Sequence, residues 1–85
     1  MEETITKREL LKTFIERCNE YEKNSEFYYS LCDTGRGHDY GLKWLAIRSI
    51  IDEFFDEDYD YRFVRVQENA FGVSFEWQKA VIIDE

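Results

Sequence analysis

The hydrophobic pattern of this chain changes period once, near residue 60, and that change restricts it to few architectures. Before it, apolar residues recur at helical spacing; after it, they alternate. Tyr61, Phe63, Arg65 and Gln67 alternate with Arg62, Val64, Val66 and Glu68, and Phe71, Val73, Phe75 and Trp77 alternate with Gly72, Ser74, Glu76 and Gln78. That is the two-residue repeat of strands with one buried face. Glu68-Asn69-Ala70 is expected to supply the turn, Asn69 being the residue type that tolerates left-handed backbone. Ala80-Val81-Ile82-Ile83 forms a third apolar run, either a last strand after a turn at Gln78-Lys79 or an extension of the second. Two or three strands are not stable alone, so helices must cover them. The expected fold is α+β in one domain over residues 1–85: two main helices, with room for a short third, then a C-terminal two- or three-stranded antiparallel β-meander.

The first helix announces its start twice. Thr6 with Glu9 has capping-box spacing, and Ile5 with Leu10 has the spacing of a hydrophobic staple. Leu10, Leu11, Phe14, Ile15, Cys18 and Tyr21 then share one face, with Lys12, Glu16, Asn19, Glu20 and Lys23 opposite. The stripe continues through Ser25, Tyr28, Tyr29 and Cys32 if the helix runs on to about Leu31, the arrangement favoured over a second helix capped at Asn24-Ser25. Phe27 and Leu31 then project from another side and require a second packing surface or a partner.

Asp33-Thr34-Gly35-Arg36-Gly37-His38-Asp39 reads as a loop, with Asp39 capping a helix from about Tyr40 to Phe55. In that helix Trp44, Ile47, Ile50, Ile51, Phe54 and Phe55 fall on one arc, and Arg48, Asp52, Glu53, Asp56 and Glu57 fall opposite. Its first turns are apolar nearly all round, which places Leu42, Leu45 and Ala46 between other elements. The expected core is Leu11, Phe14, Ile15, Ile47, Ile50, Ile51, Phe54, Val64, Val66, Val73 and Phe75.

Net charge is −8, and residues 52 to 60 carry six acids and no base, leaving thirteen acids against eleven bases elsewhere. The charge is therefore local. These carboxylates oppose the helix macrodipole at its C-terminal end, so helix stability did not select them. A single-sign patch steers cationic partners and repels nucleic acid and anionic membrane, which argues against direct nucleic-acid or membrane binding. The chain starts without an apolar leader and holds no membrane-length apolar run; it reads as cytoplasmic, with Cys18 and Cys32 as buried, reduced thiols.

Other constellations point to chemistry more weakly. Asp56, Asp58 and Asp60 fit the first, third and fifth positions of an EF-hand loop, but the sixth is Tyr61 and the twelfth Gln67, where glycine and glutamate are needed. Gly35-Arg36-Gly37-His38 matches no phosphate-binding fingerprint. Cys32, Asp33, His38 and Asp39 have the residue types of a nucleophile or metal site without showing convergence. The expectation is a binding protein, not an enzyme, with no cofactor and no metal. In size, acidity and aromatic content the chain resembles small acidic inhibitors such as nuclease immunity proteins and phage anti-restriction or anti-CRISPR proteins, a likeness of composition. It implies a basic protein partner, a nucleic-acid-binding enzyme, met by Asp52, Glu53, Asp56, Glu57, Asp58, Tyr59, Asp60 and Tyr61; a homo-oligomer is compatible with it. The second reading is a small ligand-binding or adaptor module built on the 33–39 loop.

Overall fold

Leu11, Ile15 and Cys18 repeat at four- and three-residue spacing, which places them in one row along a helix, and all three are buried. This row organises the chain. The computed structural model describes residues 6–55 and 61–83, folded as α1 (Lys7–Ser30), α2 (Thr34–Phe55), β1 (Tyr61–Ala70) and β2 (Val73–Ile82). The two helices form an antiparallel hairpin and the strands form an antiparallel ribbon, an α+β arrangement. α1 packs on both α2 and β2, so the first helix, and not the second, is the central element.

α1 begins where the sequence indicates: Thr6 Oγ accepts the Glu9 amide at 3.1 Å. The proposed staple partner Ile5 lies outside the described residues. The helix runs unbroken through Asn24 and Ser25 and ends in a pair of reversed hydrogen bonds. The Asp33 amide donates to Tyr28 O and the Cys32 amide to Tyr29 O, the Schellman pattern. Cys32 takes the left-handed position, φ 63°, and is exposed, correcting its expected burial.

The expected 33–39 loop is mostly helix. Asp33 caps α2 by accepting the Arg36 amide at 3.1 Å, so the helix starts at Thr34 and Asp39 is not its cap. Gly37 serves close packing: a Cβ there would lie 2.8–2.9 Å from the Tyr29 ring. Beside it, the buried Ser25 hydroxyl donates to Gly37 O at 2.7 Å. Small residues therefore let the helices approach where a loop was expected.

The ribbon turns at Phe71-Gly72, not at Glu68-Asn69-Ala70. Both residues have positive φ, 52° and 77°, as a two-residue type I′ hairpin demands. Register is continuous from Ala70↔Val73 to Tyr61↔Ile82, so Ala80-Val81-Ile82 extends the second strand. The buried set changes parity, however. Phe75 and Trp77 are buried, and then Ala80, three residues on. On β1 the half-buried set shifts between Phe63 and Val64, which pair with Ala80 and Lys79. Both strands switch face at one level, as in a strongly twisted two-stranded ribbon.

A row on α1 holds this ribbon; its first two members were expected toward solvent, and its third, Phe27, was expected to need a second packing surface. Asn19 Nδ2 donates to Ala80 O at 2.9 Å and Asn19 Oδ1 accepts the Ala80 amide at 2.6 Å. One turn on, Lys23 pairs with Glu68 at 3.0 Å; one turn further, Phe27 meets Phe75 and Phe71, centroids 5.6 and 6.0 Å apart.

The core consists of Leu11, Ile15, Cys18, Ile51 and Ala80, with Phe14, Trp44, Ile47, Tyr61, Phe63 and Ile82 packed against it. Ile50 is exposed, contrary to expectation, and Val64, Val66 and Val73 are only half-buried. Ile50 faces outward because α2 is covered by α1 on one side. The Phe54 side chain lies outside the described residues.

Two outcomes follow from this packing. Asn19→Ala removes both partners of a part-buried backbone donor and acceptor and should cost about 1–3 kcal/mol, while Asn19→Asp, which keeps only the acceptor, should also destabilise; urea unfolding measures both. Gly37→Ala should lower stability by about 1–3 kcal/mol through the Tyr29 clash. Gly35→Ala, whose Cβ would meet only Asp33 Oδ1 at 3.8 Å, should instead raise it by up to about 1 kcal/mol through helix propensity.

Candidate functional site

The acidic block begins on the last turns of α2, and its first carboxylate is already engaged. Arg48 and Asp52, four residues apart, stand 3.9 Å from each other, and the Tyr61 hydroxyl donates to Asp52. Arg48 also lies over the Trp44 and Phe63 rings, 5.1 and 4.9 Å from their centroids. Tyr61 packs edge-on against Phe63 at 5.7 Å, and Trp44 meets Phe63 at 6.3 Å. This cluster latches the start of β1 to α2. Sequence periodicity set Arg48 and Asp52 on a solvent face; their reach to β1 depends on a strand whose position no helical wheel contains.

Burial first, then the hydrogen bond to Asp52 and its charge, push the Tyr61 phenol up to about 12. Desolvation likewise pushes the Cys18 thiol up to about 11, with Glu22 adding to it. Cys18 is therefore a neutral, inert core thiol at pH 7.

Of the candidate partner-binding residues, Asp52, Glu53 and Tyr61 are described. Asp52 and Glu53 are exposed and Tyr61 is half-buried with its hydroxyl committed. Asp56, Glu57, Asp58, Tyr59 and Asp60 lie outside the described residues. The EF-hand alignment fails independently of them, because Tyr61 and Gln67 sit in β1, where no cation loop forms. Among the described residues no three His, Cys, Asp or Glu are grouped to hold a metal ion. Likewise, no helix is long and apolar enough to cross a membrane.

What the sequence missed lies on the outer face of α2. Leu42 and Leu45, expected between elements, and Ile50, expected in the core, are 53%, 52% and 39% exposed. With Ala46 they recur at three- and four-residue spacing and form an apolar row that leads into Asp52 and Glu53. Beside it runs a groove of about 260 Å³ whose lining includes Glu22, Tyr29, His38, Leu42, Trp44 and Leu45. A sequence signal existed: Leu42, Leu45 and Ala46 fall outside the arc of Trp44, Ile47 and Ile51, so α2 carries two apolar faces, and one neighbour covers only one.

The raised pKa of the Tyr61 phenol makes stability depend on alkaline pH. A phenol ordinarily near 10 and held at about 12 contributes stability that is complete below pH 10 and lost as pH rises through about 12. Urea stability should therefore fall across that window, and Tyr61→Phe should lose less there than the wild type. Equal slopes would contradict the latch.

Comparison with family models, with curated proteins and with solved structures returns no match.

Proposed function

We propose that this protein acts by binding, not by catalysis, as a small acidic inhibitor that covers the basic nucleic-acid-binding surface of a partner enzyme. The observation that carries the reading is the row Leu42, Leu45 and Ile50, exposed on α2 and continuous with Asp52 and Glu53. Clustered carboxylates attract a cationic surface from a distance and speed encounter. Exposed apolar side chains then exclude water at the contact and slow dissociation. An enzyme groove lined with Arg and Lys meets both requirements, since those side chains accept carboxylate as they accept phosphate. The net charge of −8 disfavours nucleic acid and anionic membrane as direct partners. The second reading required a glycine-rich loop at 33–39, whereas residues 34–39 are helical and Gly37 is packed under Tyr29.

The test is parallel capture on immobilised wild type and on a variant with Asp52, Glu53, Asp56, Glu57, Asp58 and Asp60 changed to Asn or Gln, followed by kinetics with the captured protein purified. The wild type should retain a basic nucleic-acid-binding enzyme, inhibit it stoichiometrically and be displaced by nucleic acid. Association should slow about 10-fold or more in the neutralised variant, and wild-type association should slow steeply above about 0.15 M salt. Leu42→Ser and Leu45→Ser should raise the off-rate instead. A partner bound equally by the neutralised variant at every salt concentration would refute the reading.

A further inference from the structure

Phe71 occupies a position from which neither its backbone nor its side chain gains within the single chain. It stands first in the two-residue turn of the ribbon, at φ 52°, where Asn, Asp or Gly is the usual residue and a bulky side chain is strained. Its ring is 94% exposed, with the Phe27 ring 6.0 Å away, centre to centre, so little burial offsets that strain. Backbone strain of this kind gathers at binding sites.

Beside the turn, α1 and the ribbon leave a hollow of about 210 Å³ lined by Lys23, Asn24, Phe27, Ala70, Phe71 and Phe75. An apolar cavity of about 150 Å³ takes benzene, so a phenyl ring fits. Leu31, one turn beyond Phe27, is 46% exposed and extends the apolar surface. The polar rim is neutral, because Lys23 is paired with Glu68 at 3.0 Å and Asn24 carries no charge. None of the lining residues belongs to the groove beside the apolar row of α2. The turn also lies about 30 Å of strand from Tyr61, the end of β1 whose hydroxyl meets Asp52.

We propose that this end of the molecule binds a second copy of the chain, each Phe71 ring entering the hollow of the other. A projecting ring and a hollow that receives one lie side by side on one patch, the self-complementarity that a twofold interface requires. Charge selects the same occupant. A chain of net −8 repels its own kind where its acids face each other, and this patch is locally neutral and remote from the acidic block. A basic partner is drawn to the acids of α2 instead and finds no carboxylate in the lining of this hollow. The interface is small, so the dimer is weak, with a dissociation constant of about 100 µM, and it leaves both acidic ends free.

The experiment is sedimentation velocity of the full chain from about 10 µM to about 1 mM, a range that brackets that constant. The mass should pass from one chain to two. Raising salt from about 0.05 to about 0.5 M should tighten the dimer, because screening removes repulsion between the copies. Phe71→Asn should weaken self-association about 10-fold or more. Its melting temperature at about 10 µM, where the chain is mainly monomeric, should not fall, since Asn tolerates left-handed backbone; that separates a lost contact from a lost fold. Leu42→Ser and Leu45→Ser should leave the dimer unchanged. In dimers of labelled with unlabelled chains, nuclear Overhauser contacts should join the Phe71 ring of one copy to the Ala70 methyl of the other. A monomer at about 1 mM, including one that binds neutral lipid vesicles instead, would overturn the proposal. So would a dimer that survives Phe71→Asn, lacks those contacts, loosens as salt rises, or is lost with Leu42 and Leu45.

Discussion

A two-stranded ribbon has no independent stability in water, and here the amide of Asn19 gives it a third edge. By pairing with both the N–H and the C=O of Ala80, one side chain performs for β2 what a neighbouring strand would. The contact falls where both strands change their buried face, so it fixes the point about which the ribbon rolls onto α1. Lys23 and Phe27, one and two turns along, continue the same seam. α1 thus carries two interfaces, an apolar row toward α2 and a mixed polar and aromatic row toward the ribbon.

The rest of the surface follows from that allocation. Because α1 takes the central place, α2 is an outer layer, and its second apolar face stays uncovered alongside the first acids of the 52–60 block. Where the two interfaces of α1 meet, the apolar row passes through Glu22. The cavity beneath it is a consequence of a ribbon that turns its face between Trp77 and Ala80. The groove beside the docking face and the cavity under the ribbon share Glu22 and Trp44.

Periodicity made the element types legible. The start of α1, its uninterrupted course, the hairpin and the α+β class were readable from spacing and from the capping pair at Thr6 and Glu9. What stayed hidden depended on contacts between elements. Asn19 and Lys23 look like solvent residues on a helical wheel, because a wheel assumes one neighbour. The glycines at 35 and 37 look like a loop, since propensity carries no record of the Tyr29 ring that forbids a side chain at Gly37. The turn was placed at Asn69 by residue preference, whereas strand register put Phe71, a residue ill suited to positive φ, at the bend. Glu22 was overlooked although it interrupts the 11–15–18–25 spacing. A charged residue at a seam position is a signal that sequence alone can supply.

The pairing of Asn19 with Ala80 is the claim on which the ribbon, the cavity and the bare face of α2 all depend, and native-state hydrogen exchange reports it at one amide. The Ala80 N–H is turned away from β1, on the outer edge of a two-stranded sheet, where an unpaired amide exchanges with little protection. Ala80 should be protected to the same degree as the core amides of α1 around Cys18. Exchange at Ala80 as fast as at other outer-edge amides of β2 would contradict it.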